Sequence, residues 1–202
     1  VKIRFFGCRE SILEDSQILL QADRGPLESI ENSMSEKLAN NAMKQLENSC
    51  ALVISDYDNG AVTVASASKL IGAAKKIGIP VIMDPKLTGL ERSRGAMVVL
   101  VEMRGMELMR RRLEASDSAT AASELISTYD WDALVVLGGI NGVTLYQSEG
   151  ETIHFDCSAP APKQQIGLHD AAATALAVAL GNGLPMEDAG LLAAAACDCI
   201  LT

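Results

Sequence analysis

The sequence predicts an α/β domain built on a largely parallel sheet. Three observations carry the prediction. Short apolar runs alternate with helix-forming segments along the chain, the pattern of strand–helix–strand units. The runs 51–54, 81–83, 96–101 and 133–137 are apolar throughout rather than alternating, as strands buried on both faces are. The chain has 202 residues, 49% of them hydrophobic, which suffices for one core and argues against wholesale disorder.

Residues 1–6 and 16–22 read as strands. Gly7 and the polar stretch 9–15 separate them, long for a tight hairpin, and Arg24-Gly25-Pro26 ends the second run. Residues 35–48 read as an amphipathic helix with Leu38, Ala42 and Leu46 on its buried face. After the strand 51–54, residues 66–77 form a helix with Leu70, Ala73 and Ala74 on one face, stopped by Gly78 and Pro80. The strands 81–83 and 96–101 follow. Residues 104–114 are helical by composition, and 119–128 form a helix behind Asp117-Ser118. Residues 133–137 are a strand, and 143–146 and 151–155 form a hairpin closed at Glu149-Gly150. From Asp170 onward two alanine-rich helices are broken at 181–185, Gly-Asn-Gly-Leu-Pro. No repeat, low-complexity tail or linker divides the chain, so residues 1–202 read as one domain.

Seventeen basic against 26 acidic residues give a net charge of −9. That balance excludes a nucleic-acid binder relying on a broad basic field. The one dense basic run, Arg110-Arg111-Arg112, reads as a solvated helix face. Five cysteines stand at 8, 50, 157, 197 and 199, with no pair at the two-residue gap of a zinc or redox motif. They read as buried free thiols, which predicts a reducing, cytoplasmic compartment. Lys2, Arg4, Arg9 and Glu10 interrupt any signal-peptide core, and no apolar run reaches the roughly 18 residues of a membrane span.

In open α/β sheets ligands bind beyond the carboxyl ends of the strands. Three strand ends carry suitable residues: 55–60, Ser-Asp-Tyr-Asp-Asn-Gly; Asp84-Pro85-Lys86; and 138–142, Gly-Gly-Ile-Asn-Gly. Each by itself reads equally as a turn. A fourth element, Gly167-Leu168-His169-Asp170, opens an alanine-rich helix, whose N-terminal N–H groups and dipole suit phosphate. Asp170 reads either as the helix N-cap or as a general base toward a hydroxyl. His169 reads either as a phosphate-binding imidazolium or as a side chain filling a turn, and His154 as structural or surface-exposed. No residue set reads as metal ligands.

The run 84–96, Asp-Pro-Lys-Leu-Thr-Gly-Leu-Glu-Arg-Ser-Arg-Gly-Ala, resembles the Asp-Pro-Lys-Gly-Thr-Asp-x-x-x-Tyr-x-Gly-Ala segment of the ribokinase-like (PfkB) carbohydrate kinases. Within them it is most similar to the kinase domain of the bifunctional heptose 7-phosphate kinase and heptose 1-phosphate adenylyltransferase of ADP-heptose synthesis. Ser55-Asp56-Tyr57 and Gly60 fit the Ser-Asp-Tyr-x-x-Gly of the same kinases, and Gly167 and Asp170 fit the first Gly and the Asp of Gly-Ala-Gly-Asp. The resemblance runs from about Val1 to the last residue. It implies a ribokinase-like fold and phosphoryl transfer from ATP with Mg2+ to a sugar-phosphate hydroxyl. Asp170 would take the hydroxyl proton, and the N–H groups of Gly167, Leu168 and His169 would form the anion hole. Gly139, Asn141 and Gly142 would bind the nucleotide, with Asp56 and Lys86 on the phosphate and sugar side. The resemblance also implies a homo-oligomer. The family's sugar-binding front and its short adenine-closing tail segment would lie outside residues 1–202.

The chain also departs from the pattern. Gly-Ala-Gly-Asp is Gly-Leu-His-Asp, so Leu168 replaces the Ala and His169 the second Gly, and both carry side chains into the space where the glycines let the backbone approach phosphate. The Asp three residues before that signature is Gln164, and the Thr before its first Gly is Ile166. The Asn and Glu of the magnesium segment Pro-Asn-x-x-Glu are Glu102 and Gly105. The Thr at the next strand end is Leu137, and the Lys of Tyr-x-Lys-Gly is Asn59. One lost oxyanion donor typically costs about 100- to 1000-fold in rate. Two expectations follow: a sugar kinase, or a kinase-derived binding, regulatory or structural domain with little turnover.

Overall fold

The computed structural model describes residues 2–8, 16–23, 30–159 and 166–201. Strands β1 (Lys2–Cys8) and β2 (Ser16–Asp23) pair antiparallel as a separate two-stranded sheet. The stretches 9–15 and 24–29, read as connection and stop, lie outside the described residues. The main sheet has six strands in sequential order: β3 (Leu52–Asp56), β4 (Val81–Pro85), β5 (Val98–Glu102), β6 (Ala133–Leu137), β7 (Val143–Gln147) and β8 (Ile153–Phe155). Strands β3 to β6 are parallel, and β7 and β8 add antiparallel as the predicted hairpin.

Successive side chains of the central strands divide between two cores, as the pleat requires. Ile54, Val81, Met83, Val99, Val101, Leu134 and Val136 face helices α1 (Asn32–Leu46), α2 (Val64–Lys76), α3 (Met103–Arg112) and α4 (Ser118–Tyr129). Ile82, Val98, Leu100, Val135, Leu137 and Leu145 face α5 (Leu168–Gly181) and α6 (Met186–Leu201). The small residues Ala172, Ala173, Ala177 and Ala179 are buried on α5, and Ala189, Ala193 and Ala194 on α6. Helix caps match local chemistry. Thr63 and Ser66 form a reciprocal capping box on α2, and the Asp117 carboxylate accepts the Thr120 N–H at 2.8 Å on α4.

Two expectations change. Leu38 on α1 is 55% exposed, and the buried line is Ser35, Ala39 and Leu46. Ser35 sits inward because its hydroxyl donates to the Ala61 carbonyl at 2.9 Å and meets the Ser66 hydroxyl at 3.0 Å, which offsets its burial. Among the described thiols only Cys197 is buried, and desolvation pushes it up to about 12; Cys50 and Cys199 are exposed. Arg110 and Arg111 pair with Glu107 on the predicted solvated face. His154 is half-exposed and bonded to the Thr144 hydroxyl at 2.9 Å. Between β4 and β5, residues Leu87–Ser93, to which the sequence assigned no element, form a 3-10 helix. The Trp131 indole anchors it by donating to the Ser93 carbonyl at 3.0 Å.

Candidate functional site

Parallel pairing delivers the carboxyl ends of β3 to β6 to one edge of the sheet. Asp56 ends β3, Asp84 and Pro85 end β4 ahead of Lys86, and Glu102 ends β5. The turn Gly139–Asn141 follows β6. The first turn of α5 comes to the same edge, where His169 reaches Asp84 and Glu102.

Helix α5 starts at Gly167, whose φ of 86° and ψ of 2° lie in the left-handed region that glycine occupies without strain. The Ala171 N–H makes the first intrahelical bond to the Gly167 carbonyl at 2.9 Å. The N–H groups of Leu168, His169 and Asp170 precede it and point off the helix end. Asp170 is therefore the third helical residue; Gly167, not Asp170, holds the N-cap position. The Tyr57 phenol is pushed above its ordinary range first by the Asp170 carboxylate, then by burial and by Asp84. Tyr57, Asp84 and Asp170 thus share one field.

The side chains that stand in place of the motif's Ala and second Gly leave the helix end. Leu168 is buried in the core between α5 and α6. His169 turns to the strand ends, with Nδ1 2.8 Å from Asp84 Oδ1 and Nε2 3.6 Å from Glu102 Oε1. Gly167 and Asp170 head an open groove between α5 and α6, floored by Ala171, Ala175, Val178, Leu192 and Ala196 and about 690 Å³ in volume. On the other side of His169 is a cavity of about 220 Å³ lined by Asp84, Lys86, Glu102 and Arg104. Lys86 Nζ stands 5.4 Å from the centre of the Tyr57 ring.

Asp56 and the Gly139–Gly142 turn are placed differently from the rest. Asp56 is buried, and its carboxylate accepts the Arg92 Nε–H and, at 2.9 Å, the Asp58 N–H. Arg92 Nη2 also donates to Asp58 at 2.6 Å. The Thr88 hydroxyl and Arg92 hold the Asp58 carboxyl below its ordinary range. Asp56 therefore anchors the 3-10 segment. At the second turn the Gly138 N–H donates to the Gly142 carbonyl at 2.8 Å, and the Asn141 amide donates to the Gly138 carbonyl at 3.3 Å. A Cβ on Gly142 would lie 2.1 Å from the Phe155 carbonyl oxygen, so this glycine is required by packing against β8. Gly138 does share a cavity of about 200 Å³ with Glu102, Leu168 and His169. Gln164 lies outside the described residues.

Sequence reasoning missed the Arg92 clamp and the groove wall on α6. The fourfold spacing of Leu192, Ala196 and Ile200 is the signal that marks the wall.

The sheet and the comparisons with known proteins agree on the fold, that of the ribokinase-like carbohydrate kinases. The tetrameric inhibited form of phosphofructokinase-2 from Escherichia coli superposes with a TM-score of 0.69 at 20% identity, over 86% of this chain and 58% of that one. Arabidopsis thaliana ribokinase, complexed with ribose and ATP, gives 0.62 at 18% identity, over 81% and 53%. In sequence the chain is similar to bifunctional proteins HldE. That of Haemophilus ducreyi is 31% identical over 191 residues, 94% of this chain and 39% of that protein. That of Rhodopseudomonas palustris is 32% identical over 182 residues, 88% and 37%. The chain thus spans less than half the length of these relatives. No protein-family model matches it.

Proposed function

We propose that the chain is an ATP-dependent sugar-kinase domain, with a sugar phosphate of the heptose 7-phosphate kind as acceptor. The observation that carries this reading is the position of Asp170. Its carboxylate lies in the first turn of α5, beside N–H groups without intrahelical acceptors and at the head of an apolar groove. A planar base fits such a groove, and phosphates fit the helix end.

The residues at this edge also suit a magnesium ion. Magnesium is usually held through one or two carboxylates, water and substrate phosphates. Glu102, with a side chain 65% exposed, and Asp170 supply such oxygens. When bound, the ion neutralises phosphate charge. The chain's own part is positional. The N–H groups at the start of α5 hold the oxygens of the transferring phosphoryl group, and Asp170 takes the proton from the sugar hydroxyl as it attacks. Lys86 and Arg104 draw the acceptor's phosphate to the neighbouring cavity.

A second reading, a domain that keeps ligand binding with little turnover, is favoured by one observation: Arg92 engages Asp56, and Asp84 engages His169. In either case we expect a homo-oligomer in the cytoplasm. Exposed Ile3, Phe5, Phe6, Leu19 and Leu20 on the β1–β2 sheet offer apolar surface for self-association. Among the described residues no helix is long and apolar enough to cross a membrane.

Calorimetric titration with magnesium and a non-hydrolysable ATP analogue tests the reading, followed by phosphorylation of heptose 7-phosphate. Saturable micromolar binding, with product formation that Asp170→Asn lowers at least 100-fold, supports the kinase. Binding without product supports the second reading. No binding by a folded sample refutes both.

A further inference from the structure

Two positions at which the chain departs from the kinases it resembles, 102 and 169, lie beside each other at the site. Glu102 Oε1 lies 3.6 Å from His169 Nε2, too far for a hydrogen bond. Nε2 is a buried atom with no hydrogen-bond partner among the described residues. Nδ1, the other ring nitrogen, is fixed at 2.8 Å from the Asp84 carboxylate. A carboxylate holding one imidazole nitrogen while the other is left without a hydrogen bond is the outer-shell arrangement of a metal-binding histidine.

From these facts the geometry points to a site for a divalent transition-metal ion between His169 Nε2 and Glu102, of which Zn2+ is the clearest case. With metal–ligand bonds of about 2.1 Å, donors 3.6 Å apart subtend about 120° at a shared ion, near the tetrahedral preference of zinc. An imidazole with a carboxylate selects zinc-like ions over magnesium, which prefers oxygen alone. No three His, Cys, Asp or Glu side chains among the described residues converge as a complete ligand set. Two positions are therefore left for water or for oxygens of a bound anion, as in sites that keep open coordination. Cavities of about 220 and 200 Å³ adjoin His169 and Glu102 and give room for these ligands. Lys86 and Arg104 line the larger cavity and favour a phosphate there. The site needs no nucleotide, so it stands or falls independently of the kinase reading.

The test is calorimetric titration of the full chain with Zn2+ alone, in a non-coordinating buffer under thiol-free reduction. Exposed Cys50 and Cys199 can take zinc by themselves, so the reading lies in the variants. One equivalent should weaken at least tenfold in Glu102→Gln and in His169→Gln, and about 10- to 100-fold in Asp84→Asn. Glu102 is exposed enough that its variant should fold normally, and circular dichroism checks all three. Zinc uptake unchanged in Glu102→Gln and His169→Gln, or no uptake at all, overturns the proposal. His169 would then stand as an imidazole bridging two carboxylates.

Discussion

Replacing Arg92 by alanine should destabilise the domain by about 3 kcal/mol. The side chain of Asp56 is only 2% exposed, and Arg92 supplies its one charged partner among the described residues. Removing one member of a buried ion pair typically costs about 3–5 kcal/mol, because the other charge is left in a poor solvent. The low end applies here: the Asp58 N–H still donates to Asp56 at 2.9 Å, and Arg92 itself is 15% exposed. For a chain near 200 residues, about 3 kcal/mol lowers the melting temperature by roughly 6–12 °C. Urea unfolding followed by circular dichroism should show an earlier midpoint with an unchanged slope. The double variant Asp56→Asn with Arg92→Met removes both charges and keeps an acceptor for the Asp58 N–H. It should recover to within about 1 kcal/mol of the parent. An Arg92→Ala protein within about 1 kcal/mol of the parent would refute the clamp, as would a double variant as unstable as the single one.

Two further outcomes follow from single residues. Glu107 is held down to about 2 by hydrogen bonds from Arg110 and then Arg111. Its folded-state value lies below its ordinary 4.5, so its contribution is complete above that pH and lost as pH falls toward about 2. The difference in melting temperature between the parent and Glu107→Gln should accordingly be constant near neutrality and vanish across that acid range. At Gly142 a Cβ would meet the Phe155 carbonyl oxygen at 2.1 Å with φ at 76°, whereas at Gly167 it would meet nothing within 4 Å among the described residues. Gly142→Ala should therefore cost more than about 2 kcal/mol, and Gly167→Ala only the roughly 1 kcal/mol of a left-handed alanine, both read by urea unfolding.

The order and type of the main-sheet elements were legible because their signals are local. Continuous apolar runs marked β3 to β6, and Gly78 with Pro80 marked the end of α2. The face of α1 was not legible from periodicity. Ser35 counts as polar by composition, yet its partners at Ala61 and Ser66 are distant in sequence and make it a core residue. The site divided in the same way. Strand ends and the first turn of α5 follow from chain order, so Asp84, Lys86, His169 and Asp170 fall together. Asp56 also stood at a strand end. Its role turned on Arg92, 36 positions away inside a 3-10 helix that no apolar period announces. Likewise, the glycines at 167 and 142 look alike in a sequence, and only the neighbouring Phe155 carbonyl separates a conformational need from a steric one.

Charge at the strand ends links the nucleotide and metal readings without making them one. Asp84, Glu102 and Asp170 gather at a single edge, and the chain as a whole carries −9. The positive end of α5, Lys86 and Arg104 offset part of that field. A nucleotide triphosphate adds several negative charges within a few ångströms of three carboxylates, and at 4 Å each like-charge pair opposes binding by about 1–4 kcal/mol. Nucleotide binding should therefore depend steeply on divalent cation, and a titration without magnesium should fail even where the kinase reading holds. Zinc uptake through His169 and Glu102 needs no such help, because the ion itself relieves the carboxylates. Magnesium-dependent nucleotide binding that survives His169→Gln, beside zinc binding that does not, would show two functions at one sheet edge: phosphate held by the start of α5, and a metal held by the imidazole that stands in place of a glycine.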